Sequence, residues 1–138
     1  MLSTAPRLPD GLVAVVKRDC ATCGLVVTVL GELAAGGRAL TVYTQDDPEF
    51  PQTAAPRVDD RELVVSWHHR IETVPTLIRV ENGREVARTE GWSRADWEQL
   101  AGVCPLGAGL PAHRPGCGSR TASRSRAPRA GRAPTGSS

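Results

Sequence analysis

The chain has 138 residues, 40% of them hydrophobic and 23% charged, with a formal net charge of +2, which suits one domain with a modest core. No apolar run approaches the roughly 20 residues of a membrane helix, and the first 11 residues lack the basic and long apolar regions of a secretory signal. A cytoplasmic location is therefore expected, where four cysteines point to catalysis, metal binding or free thiols rather than structural disulfides.

The charge is unevenly spread. Five Arg and no acid lie in residues 115–138, so the rest of the chain, with all 15 acids, is mildly acidic. Arg outnumbers Lys so heavily, beside abundant Ala, Gly and Pro, that a GC-rich bacterial coding background explains the bias.

In chain order, residues 12–17 form an apolar, β-branched run of the kind found in a strand buried on both faces. Cys20-Ala-Thr-Cys23 follows, and then Val26, Val29, Leu30 and Leu33 recur on one helical face until Gly36-Gly37. Residues 39–44 predict a second buried strand, and 45–57, with three Pro, a loop. Asp59-Asp60 is suited to start a helix running towards Arg70, with Trp67 at a core position and His68-His69 at its exposed end. Thr76–Glu81 and Arg84–Glu90 are strands joined by Asn82-Gly83, a pair that tolerates the positive φ of a tight hairpin turn. Ser93 is placed to cap a helix over Arg94–Ala101, with Trp97 in the core. After Gly102 the periodicity ends, and residues 105–138 hold too few large apolar side chains to offset the entropy of ordering.

The order β-α-β-α-β-β-α predicts an α/β fold with a mixed four-stranded sheet flanked by helices, over residues 8–103, followed by a disordered Arg/Pro/Gly/Ser-rich tail over 104–138. The chemistry is read from Cys20 and Cys23. A thiol between a buried strand and the first turn of a helix meets unpaired N–H groups and the positive end of the helix dipole, both of which favour the thiolate. Cys20 would be the attacking, accessible thiolate, and Cys23, one turn on, its resolving partner. Lys17 and Arg18 would add to this, and Asp19 would oppose it. A zinc site using Cys20, Cys23, Cys104 and Cys117 fits the usual ligand spacings poorly. Cys104 and Cys117 are expected to be free thiols, although Cys117, in Pro115-Gly116-Cys117-Gly118, is flexible enough to reach another disulfide.

A CxxC at a strand–helix junction, Thr73-Val74-Pro75-Thr76 some fifty residues later, and then strand, Asn-Gly, strand, Gly91 and helix together resemble the thioredoxin family over about residues 11–102. The brevity of the chain before the CxxC, and Lys17, are similar to glutaredoxins. The resemblance implies a cis Pro75 facing the two cysteines, with Cys20, Cys23 and Pro75 as catalytic residues. It also implies a substrate chain held by the Val74 backbone beside Thr76, Gly91 and Trp92. Asp19, Ala21 and Thr22 stand where thioredoxins carry Trp, Gly and Pro, and Ala14 stands where they keep a buried carboxylate.

The function implied is thiol–disulfide exchange without metal or organic cofactor. The partners would be a disulfide-containing protein or small-thiol substrate, and a reductase or low-molecular-weight thiol as electron donor. Neither nucleic acid nor membrane is expected to bind, and the chain is expected to be a monomer. The alternative is a binding or adaptor module on the same fold with slow or no redox turnover.

Overall fold

The structure, a computed structural model, describes residues 6–121. At its centre is β1 (Gly11–Val16), whose residues Leu12 to Val16 are all buried. A strand apolar on both faces must be covered on both, and that places it inside the sheet rather than at an edge. The loop after it leads into α1 (Ala21–Ala35), which buries Val26, Val29, Leu30 and Leu33 along the expected face. The chain returns as β2 (Leu40–Thr44), which lies parallel to β1.

Residues 45–56 form the expected loop, but Arg57–Asp59 is a short strand, β3, parallel to β2. It is too short and too exposed to show an alternating pattern. It makes the sheet five-stranded rather than four-stranded. The next helix, α2 (Val64–His68), begins later and is shorter than expected. Asp60 still serves its start: its buried carboxylate accepts hydrogen bonds from the Val65 and Ser66 N–H groups and from the Ser66 hydroxyl. So short a helix turns Trp67 outwards, 48% exposed, and the core position expected for it is not realised.

β4 (Thr73–Val74) and β5 (Thr76–Glu81) are separated by Pro75, and the Val74–Pro75 bond is cis. β5 lies antiparallel to β1 on one side and to β6 (Arg84–Glu90) on the other. Asn82 and Gly83 turn the hairpin with φ of 55° and 76°. The main sheet thus runs β3-β2-β1-β5-β6, a mixed sheet within an α/β fold that has three helices among the described residues. β7 (Trp92–Ser93) leads into α3 (Arg94–Ala101), capped by the Ser93 hydroxyl accepting from the Asp96 N–H. Trp92 and Trp97 are fully buried and meet edge to face, with ring centroids 5.3 Å apart. No helix among the described residues is long and apolar enough to cross a membrane.

The largest departure from expectation follows Val103. Residues 104–121 do not form a disordered tail but fold back across the domain; 122–138 lie outside the described residues. Leu106 is buried, 1% exposed, and Arg94 Nε and Nη2 hold the carbonyls of Leu106, Gly107 and Leu110. Trp92 Nε1 donates to the Pro111 carbonyl at 2.7 Å. β8 (His113–Arg114) then pairs with β7, and β9 (Cys117–Gly118) pairs with β4. Beyond β9, Ser119 accepts from the buried Gln45 amide, and Arg120 returns two hydrogen bonds to Gln45. Few apolar residues are needed for this docking, because much of it is done by hydrogen bonds to Trp92, Arg94 and the buried Gln45.

Candidate functional site

The two cysteines of the CxxC sit where β1 gives way to α1. Cys20 is the N-cap of α1, in extended conformation, and its Sγ accepts from the Cys23 N–H at 3.3 Å. The loop before it is pinned from the end of β2: Asp46 takes the N–H groups of Arg18 and Asp19 at 2.7 and 2.9 Å. The Arg18 guanidinium pairs with Asp47 at 2.7 Å, which lowers the Asp47 pKa and occupies the Arg18 charge away from the thiols.

Opposite lies the strand before Pro75. The Val74 carbonyl is 3.6 Å from Cys20 Sγ, so the structure brings Cys20, Cys23 and the Val74–Pro75 corner together across 54 residues of sequence. Thr76 is buried and its hydroxyl closes locally on the Thr73 carbonyl. Trp92 is likewise fully buried, with its N–H committed to Pro111, so it belongs to the core and not to a substrate groove. Gly91 does lie at the site, where its N–H donates to the Pro75 carbonyl.

What covers the site is the returning segment. Cys117 Sγ is 2.6 Å from Cys20 Sγ, between the ~2.05 Å of a disulfide and an ordinary non-bonded contact. The Pro115 carbonyl accepts from the Thr22 hydroxyl at 2.7 Å, and Val74 is the strand partner of Cys117. Two glycines make room for this. A Cβ on Gly116 would lie 2.5 Å from the Val74 oxygen, and one on Gly91 3.0 Å from the Gly116 nitrogen. Cys20 is therefore 7% exposed rather than accessible as the sequence suggested. Cys117 was legible only as a thiol in a flexible segment; nothing local in the sequence connects it to Val74 or Cys20. Cys104 is exposed. Among the described residues, no group of three or more His, Cys, Asp or Glu could hold a metal ion.

The three thiols differ in acidity. Burial opposes ionisation of Cys20, but hydrogen bonds from Cys117, Cys23 and the Thr22 backbone outweigh it and leave its pKa below the usual cysteine value. Cys23, fully buried, is pushed far upwards by desolvation, which the Lys17 N–H at 3.4 Å only partly offsets. Cys117 is raised first by burial and then by donating to Cys20. A lowered pKa means that Cys20 is half ionised at a lower pH than a free cysteine. Titration of thiolate ultraviolet absorbance, wild type minus Cys20→Ser, should therefore show a midpoint below that of an unperturbed cysteine. Cys117→Ala removes a donor to the thiolate and should move that midpoint up.

No known family profile and no curated protein matches the chain. Among solved structures it is similar to a hypothetical protein from Sinorhizobium meliloti 1021, at 17% identity and a TM-score of 0.47, over 78% of this chain and 76% of that one.

Proposed function

We propose that the chain is a thiol–disulfide oxidoreductase of thioredoxin type, with Cys20 as the attacking thiolate and Cys23 as the motif's own partner thiol. The observation that carries this reading is the environment of Cys20 Sγ: it takes a backbone N–H at the start of α1, faces the Val74 carbonyl, and has a second thiol in contact. A stabilised thiolate beside a second thiol, with which it can close and reopen a disulfide, is an arrangement suited to disulfide exchange. The sheet order, the position of the CxxC after the central strand and the cis Val74–Pro75 bond agree with a thioredoxin-like arrangement. The chemistry would use sulfur alone, with a disulfide as substrate and a low-molecular-weight thiol or a reductase as donor.

One observation favours the adaptor reading instead: Cys20 lies beneath residues 115–117, which would slow turnover. Turnover of insulin and of bis(2-hydroxyethyl) disulfide, driven by dithiothreitol, separates the two. An oxidoreductase accelerates the loss of at least one of these disulfides over dithiothreitol alone. An adaptor accelerates neither.

A further inference from the structure

Resting on the oxidoreductase reading, we infer that Cys117 is a third redox cysteine, which resolves mixed disulfides on Cys20 by forming a Cys20–Cys117 disulfide. The segment that carries it is built into the site. β9 pairs with β4 so that Cys117 is opposite Val74, and the Thr22 hydroxyl, on the first turn of α1, holds the Pro115 carbonyl. Ser119, Arg120 and Thr121 then fasten its far end to Gln45 and to the Ile71 carbonyl. Gly116 is the one residue type that can pass this close to Val74. Held at both ends, Cys117 Sγ is presented to Cys20 Sγ rather than meeting it by chance.

In the step inferred, the Cys20 thiolate attacks a disulfide R–S–S–R′. The Cys20–SR bond forms, the R–S–S–R′ bond breaks, and R′S⁻ leaves and takes a proton from solvent. Cys117, having given its proton to solvent, attacks Cys20 Sγ. The Cys20–Cys117 bond forms, the Cys20–SR bond breaks, and RS⁻ leaves and is protonated. Two electrons pass from the Cys20/Cys117 pair to the substrate, and an external dithiol restores them.

Cys117 is better placed for this than Cys23. Cys23 is fully buried, its backbone donor is the Lys17 N–H at 3.4 Å, and desolvation pushes its pKa far up. Cys117 is only partly buried, and two of the causes that raise its pKa arise from the Cys20 sulfur. Those vanish once that sulfur is bonded in a mixed disulfide. A substrate in extended form would need the Val74 edge that β9 holds, so the disulfides resolved in this way are small ones.

The test treats the reduced full chain with bis(2-hydroxyethyl) disulfide, alkylates the remaining thiols at intervals, and maps disulfides by mass spectrometry. The inference requires Cys20–Cys117 as the first internal disulfide of the wild type. It also requires the Cys20 adduct to persist at least about tenfold longer in Cys117→Ala, while Cys104→Ser, at the exposed cysteine, clears it at close to the wild-type rate. If Cys20–Cys23 forms first, Cys117 stays open to alkylation and Cys117→Ala clears the adduct normally, the inference is overturned and the oxidoreductase reading stands. If Cys20 takes no adduct in any form of the protein, both fall.

Discussion

Cys20→Ser is expected to remove disulfide reduction, leaving below about one per cent of the wild-type rate, because a serine hydroxyl is not a nucleophile towards sulfur at neutral pH. The folded structure should survive the change. Ser is close in size to Cys and caps helices well, and the capping interaction with the Cys23 N–H is one a hydroxyl can accept. Circular dichroism and a melting curve close to those of wild type, together with lost turnover in both disulfide assays, would place the chemistry on this one sulfur. Cys104→Ser in the same assays should retain wild-type activity, since Cys104 is exposed whereas Cys20, Cys23 and Cys117 are buried or partly buried.

Ending the chain after Val103 is expected to destabilise it by at least about 3 kcal/mol relative to a chain ending at Thr121. Burying a Leu of the size of Leu106 is worth roughly 1.5–3 kcal/mol. Each hydrogen bond lost with the segment adds about 0.5–1.5 kcal/mol. Here those bonds are the Trp92 N–H to Pro111 and the Gln45 side chain to Ser119 and Arg120, the Gln45 amide keeping Ser66. In a domain of this size the melting temperature should fall by more than about 10 °C. A change of only a few degrees would mean that residues 104–121 rest on the domain without holding it, and would restore the expectation of a dispensable tail.

That expectation shows where the sequence stops being legible. The buried strand, the amphipathic helix, the Asn-Gly hairpin and the Ser93 cap are local patterns, each set by periodicity or by one residue's conformational preference, and all were readable. Cys20 and Cys23 were readable for the same reason, as neighbours at a strand–helix junction. The return of residues 104–121 is not local. Its anchors, Gln45, Arg94 and Trp92, lie earlier in the chain, and its own residues are rich in Gly and Pro and poor in large apolar side chains, a composition that reads as disorder. Trp92 was misplaced for a related reason. Its neighbour Gly91 does lie at the site, but the covering segment gives the indole N–H a carbonyl and closes it into the core. β3 and the late start of α2 were lost to size, since three and five residues carry too little pattern to be seen.

The most direct measurement of the central claim is the equilibrium titration of the reduced full chain against dithiothreitol or glutathione redox buffers, with the thiols counted by alkylation and mass at each potential. A two-electron couple that includes Cys20 is expected, with a midpoint between about −270 and −120 mV, the range of working thiol–disulfide proteins. Cys20→Ser should abolish that couple. A chain whose four thiols stay reduced across this whole range, or whose couple survives Cys20→Ser, would contradict the claim.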